Sequence, residues 1–148
     1  MCVNKQPEAG FFRKTRLLEI VRQEERMSDA RRTLGQHGET LAAQRLQLLG
    51  YRLRERNWRC PVGELDIVAE KDGVLVFVEV RTRRGDRFGT PEESITPAKR
   101  AKLLEVALTY LEEYDEEDRN WRIDVVAVEI GPRGEVIRLD IIENAIEE

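Results

Sequence analysis

Apolar residues fall along this chain in two rhythms, and the rhythms separate helices from strands. From Glu39 to Leu49 they recur every three or four positions, with Leu41, Ala42, Leu46 and Leu49 on one side, and Gly50 follows as a helix stop. Tyr51 to Trp58, YRLRERNW, instead alternates apolar with basic, as a half-exposed strand does. Glu64 to Glu70 and Val74 to Thr82 are rich in Val, Ile, Leu and Phe, and Asp72-Gly73 between them is a strong hairpin signal. After the polar stretch RRGDRFGTPEES, Thr96 offers a helix cap with Pro97 at the first helical position. The helix that follows is predicted to turn Leu103, Leu104, Ala107, Leu108 and Leu111 inward, and EEYDEEDR then reads as a solvated loop. Trp121 to Ile130 and Val136 to Ile142 complete the pattern around a Pro132-Arg133-Gly134 turn. The order α-β-β-β-α-β-β predicts an α/β fold, a mixed central β-sheet flanked by helices.

The first 30 residues fit this scheme least. FFRKTRLLEIVRQEERM carries a weak stripe of Phe12, Leu17, Ile20 and Val21 among dense charge, and MSDARRTLG from Met27 reads as an alternative start. We take residues 1–30 as a flexible or weakly helical extension and 31–148 as the domain.

The hairpin register carries the chemistry. With Asp72 and Gly73 as the two turn residues, facing positions have numbers that sum to 145, so Asp66 lies opposite Glu79 and Glu64 opposite Arg81. Alternation then puts Glu64, Asp66, Val68, Leu75, Phe77, Glu79 and Arg81 on one face and Leu65, Ile67, Ala69, Val76, Val78 and Val80 on the other. Both faces are largely apolar, as in central strands covered on both sides. Two carboxylates placed ~5 Å apart repel by roughly 3 kcal/mol at an effective dielectric of ~20. A divalent cation, a shared proton or a neighbouring cation must offset that repulsion. A salt-bridged cluster in which Arg81 neutralises the pair is the purely structural alternative, and from the residues alone the two stand level.

Other charges converge on the same region. Glu39 falls on the inward side of the first helix, although a Glu there also serves as a cap or dipole partner. Lys99 and Arg100 open the second helix, and Arg83, Arg84 and Arg87 follow Glu79 in sequence. Carboxylates ringed by bases are the layout expected where a metal meets a phosphodiester.

Composition narrows the choice. One histidine and two cysteines, Cys2 and Cys60, exclude a disulfide framework and a closed zinc site, leaving hard cations held by oxygen. No apolar run reaches the ~20 residues of a membrane span and no secretory pattern opens the chain, so a cytoplasmic location is expected. The net charge of −4 hides a split: residues 31–102 carry 15 Lys/Arg against 10 Asp/Glu, and residues 103–148 carry 4 against 14. That asymmetry suits one basic surface facing a polyanion, or two ordinary solvated surfaces.

In order and spacing, GELDIVA, VFVEVRTR, FGTPEESITPAK and RIDVVAV resemble the YraN-like family of bacterial proteins, over about residues 33–145. No firmly established activity comes with that family. It is similar to Holliday-junction resolvases and restriction endonucleases of the PD-(D/E)xK superfamily, and so implies a restriction-endonuclease-like core. The resemblance implies Asp66 and Glu79 as the metal-binding acids, Glu39 as the helix glutamate of resolvase-like members, and Mg²⁺ or Mn²⁺ as the cofactor. The lysine expected two residues after Glu79 is Arg81 here, which stays protonated and cannot act as a base, though it can orient water or stabilise charge. Lys99 would then substitute from the helix, with Arg83, Arg84, Arg87 and Arg100 on the nucleic-acid backbone. The expectation is a metal-dependent, structure-selective endonuclease-like protein acting on branched or otherwise structured DNA, with no membrane partner and a homodimer left open. The alternatives are a non-catalytic nucleic-acid-binding module, favoured by Arg81, and an interaction scaffold, favoured by the pI near 5.3.

Overall fold

The computed structural model describes residues 9–85 and 89–147, with side chains from Thr15 onward. It divides into two compact units, Met1–Leu34 and Gly35–Glu148. Helix α1 is Ala9–Leu48. Within the first unit, Leu17, Leu18, Ile20, Val21 and Met27 are exposed and Arg32 pairs with Asp29 at 3.2 Å. Phe12 lies among the side chains outside the description.

In the second unit, α1 ends in a Schellman motif. The Tyr51 N–H donates to the Leu46 carbonyl at 3.0 Å and Gly50 N–H to that of Gln47 at 3.1 Å, which requires the positive φ of +89° at Gly50. Strands β1 (Arg52–Cys60), β2 (Gly63–Lys71), β3 (Val74–Arg84), β4 (Trp121–Ile130) and β5 (Val136–Ile146) lie in that order in one sheet. All neighbours are antiparallel except β3 and β4, which are parallel and joined by a 3₁₀ turn (Glu92–Ser94) and helix α2 (Pro97–Glu113). This is the mixed α/β sheet read from the sequence.

Asp72 and Gly73 both take positive φ, +50° and +79°, as the hairpin turn demands. The register follows: Lys71 faces Val74, and Ile67 faces Val78. There the ladder stops. A continued ladder would send the Val80 N–H to the Leu65 carbonyl, but it donates instead to Asp66 Oδ2 at 2.8 Å. Alternation fails with it: Leu65, expected on the face away from Val68, joins Val68, Leu75 and Phe77 in the core beneath α2.

Thr96 caps α2 as predicted, its hydroxyl accepting from the Lys99 N–H at 3.1 Å with Pro97 at the helix start. The buried stripe is Leu103, Val106, Ala107, Tyr110 and Leu111; Leu108 is 48% exposed and Leu104 only partly buried. The helix is rotated because Tyr110 seats between Phe77 and Trp58, edge-on to both at centroid distances of 5.4 and 5.0 Å. On the opposite face of the sheet, Val76, Val78, Val80, Val126 and Val128 are buried along with Ala42, Ala43 and Leu46 of α1. There α1 approaches β3 so closely that a Cβ on Gly38 would lie 1.8 Å from Thr82 Oγ1. The acidic stretch after α2 is not merely solvated. Glu116 accepts from Arg54 and from Arg119, and Arg119 also pairs with Glu70 at 2.9 Å. Among the described residues no helix is long and apolar enough to cross a membrane.

Candidate metal and phosphate site

The departure from the ladder makes the site. By leaving backbone pairing, Asp66 brings its carboxyl beside that of Glu79, close enough for each to act on the other's titration. Both are buried, Glu79 to 4% exposure. Burial, and then the charge of Asp66, push the Glu79 carboxyl up to about 8. Burial also raises Asp66, against the pull of the Val80 N–H. The raised Glu79 carboxyl and two neighbouring cations offset the repulsion anticipated from the hairpin register.

Two cations sit against Glu79, not Asp66. Lys99 Nζ is 3.5 Å and Arg81 Nη1 3.6 Å from Glu79 Oε1. Arg81 is clamped at the same time, its Nε donating to Ser94 Oγ at 2.8 Å and its Nη2 to the Ser94 carbonyl at 3.1 Å. Both cations keep about a third of their side-chain surface open to solvent, so a phosphate can reach them. Arg81 does not face Glu64, as the register alone predicted: Glu64 pairs with Arg59 of β1 at 3.5 Å.

Glu39 is half-buried on α1, and its carboxyl is raised by burial and then by the charge of Asp66, which puts it within electrostatic reach of the pair. It does not complete a triad. Among the described residues no three His, Cys, Asp or Glu side chains gather closely enough to hold a metal ion. The two paired carboxyls still fit Mg²⁺ or Mn²⁺, since Mg²⁺ typically takes one or two protein carboxylates and fills its remaining positions with water and phosphate.

The arginines diverge. Arg83 alternates onto the face of Glu79 and Arg81 and is partly buried. Arg84 points the other way and fastens the β4–β5 turn, donating to the Gly131 carbonyl at 3.1 Å. Arg87 lies outside the described residues. Arg100 reaches the Ala145 carbonyl at 3.5 Å at the mouth of a cleft next to α2. Two parts were not anticipated. Ser94 has no periodic signal because it ends a 3₁₀ turn of only three residues. Asp124, fully buried in β4, accepts from Arg122 Nε at 3.0 Å and the Asn144 N–H at 2.9 Å; its one clue is an acid inside the run WRIDVVAV.

Residues 38–128, which carry Glu39, Asp66, Glu79, Arg81 and Lys99, match the profile of the uncharacterised protein family UPF0102. The chain belongs to this family. It is the YraN-like family whose resemblance the motifs carried. A UPF0102 protein of Roseiflexus castenholzii is 50% identical over 123 residues, covering 82% of this chain and 99% of the relative. One from Symbiobacterium thermophilum is 48% identical over 114 residues, covering 77% and 96%. A third, from Moorella thermoacetica, is 45% identical over 119 residues, covering 80% and 99%. The UPF0102 match thus spans α1 from Gly38 onward, the hairpin, α2 and most of β4.

Proposed function

We propose that this UPF0102 protein is a metal-dependent, structure-selective endonuclease-like hydrolase acting on DNA phosphodiesters. The observation that carries this reading is the buried Asp66–Glu79 pair flanked by Lys99 and Arg81. A buried like-charge pair that holds a proton at neutral pH is costly as architecture and useful as a cation site. Mg²⁺ or Mn²⁺ held there would supply a polarised water and neutralise phosphate charge. Asp66 and Glu79 would be its ligands, with Glu39 acting on the site by charge. Lys99 and Arg81 would stabilise the negative charge that grows on the phosphate. Ser94 fixes Arg81 in place.

The test is cleavage of a panel of junctions, flaps, bulges and single strands with Mg²⁺ or Mn²⁺. We expect cutting of branched substrates that disappears in Asp66→Asn and Glu79→Gln. A panel left intact with every metal rejects the enzymatic reading. One observation favours a second reading, a non-catalytic nucleic-acid-binding module: the guanidinium of Arg81 occupies the usual lysine position and is tied to Ser94. In that case DNA binding would fall steeply with salt and be unchanged in the two variants.

A further inference from the structure

One strand away from Glu79 the surface opens into a cleft of about 310 Å³. Its floor is aliphatic, made by Ile95, Val125, Ile142 and Ile146, with Ala145 and Arg100 at the side. The lining of the cleft neighbours the carboxylate site in register and in sequence. Val125 is the direct partner of Glu79 in the parallel β3–β4 ladder, Ile95 follows the Ser94 that clamps Arg81, and Arg100 follows Lys99.

We propose that this cleft receives one unpaired nucleobase next to the phosphate held at Lys99 and Arg81, an inference that rests on the nucleic-acid reading above. The volume lies at the small end of ligand sites, roughly 300 Å³, which suits a single nucleoside and not a base pair. Chemistry selects the base over its phosphate. The rim opposite Arg100 is acidic, with Glu92 engaged by both terminal nitrogens of Arg138 at 3.0 and 2.8 Å and Glu93 accepting the Thr90 N–H at 3.1 Å. A phosphate is repelled there, whereas a flat neutral ring packs on the isoleucines and valine through its π-face without regard to sequence. Arg100, with Lys99 beside it, is left for the flanking backbone. Extracting a paired base costs a few kcal/mol, least where the base is already unpaired, so the cleft converts apolar packing into preference for bulges and branch points.

The experiment compares two labelled duplexes, one with a single bulged base and one with an abasic bulge on the same backbone. Binding to the full chain is read by fluorescence anisotropy at low salt, with Mg²⁺ and with EDTA. Burial of one base face on an aliphatic floor should give about tenfold tighter binding of the base-bearing bulge, and Ala145→Phe, which fills the cleft, should bring that ratio to one. Equal binding of the two bulges by the unaltered protein, which does not depend on any variant folding, overturns the inference and leaves the nuclease-type reading standing. A preference that survives in Ala145→Phe also overturns it. If neither duplex binds under either condition, the nucleic-acid reading falls and the cleft proposal with it.

Discussion

The Asp66 carboxylate stands where a backbone acceptor should be, taking the Val80 N–H at 2.8 Å just past the last β2–β3 rung. One side chain therefore has two jobs, closing the sheet's hydrogen bonding and presenting a carboxyl to Glu79. The jobs separate by substitution. Asp66→Ala leaves the buried Val80 N–H without a partner and should cost about 1–3 kcal/mol in urea unfolding. Asp66→Asn keeps an acceptor oxygen and should stay within about 1 kcal/mol of the parent while losing any stabilisation by Mn²⁺. Equal losses in both variants would contradict the acceptor role.

The raised Glu79 carboxyl gives a pH signature. Glu79 titrates higher folded than unfolded, so its stabilising share is complete below the unfolded value near 4.5 and is lost as pH rises toward about 8. Calorimetric melting of the parent should therefore decline over that window relative to Glu79→Gln. A divalent cation must displace the same proton, so Mn²⁺ should raise the parent's Tm more at high pH than at low. Parallel pH curves for the two proteins would rule out the protonated pair.

Acid unfolding should follow a different pair of carboxylates. Arg138 holds Glu92 down at about 2, and Arg54 does the same for Glu116. Both titrate lower folded than unfolded, so their stabilisation is present above about 4.5 and is lost as pH falls toward 2. Glu92→Gln and Glu116→Gln should each flatten the acid limb of a Tm-versus-pH curve. With the opposing slope from Glu79, maximum stability is expected near about pH 5. An unaltered acid limb in both variants would show that these ion pairs are not what acid breaks.

Gly38 is expected to be intolerant of even a methyl group. Its added Cβ would meet Thr82 Oγ1 at 1.8 Å and Thr82 Cβ at 2.9 Å, so Gly38→Ala should cost about 1–3 kcal/mol in a thermal or urea melt. Thr82→Ala in the same chain should recover part of the loss, since it removes Oγ1 and Cγ2 but leaves Cβ at 2.9 Å. Gly35→Ala on the same helix, with nothing within 4 Å, should instead stabilise by up to about 1 kcal/mol. If Gly38→Ala melts like Gly35→Ala, the close approach of α1 to β3 is wrong, and with it the placement of Glu39.

Local rules settled much of this molecule before any fold was in view. A two-residue Asp-Gly turn admits one register, so the pairing from Lys71–Val74 to Ile67–Val78, which leads Asp66 toward Glu79, followed from Asp72 and Gly73 alone, and Thr96-Pro97 placed the start of α2. Alternation along β3 and the positions Ala42, Leu46, Leu103, Ala107 and Leu111 reported burial correctly, whereas Leu49 and Leu108, expected inward, are exposed. Tertiary structure decided what periodicity does not encode. Leu65 changed face because a side chain replaced a backbone acceptor, and Tyr110, wedged between two aromatic rings, turned α2 so that Val106 rather than Leu108 is buried. Long cationic side chains were the least legible, because each chooses among partners that only chain crossover supplies. Arg81 found Ser94, Arg84 found the Gly131 carbonyl and Lys99 found Glu79. The sequence by itself directed two acids toward one another; the fold decided that they would be buried, flanked by Lys99 and Arg81, and lie beside an aliphatic cleft.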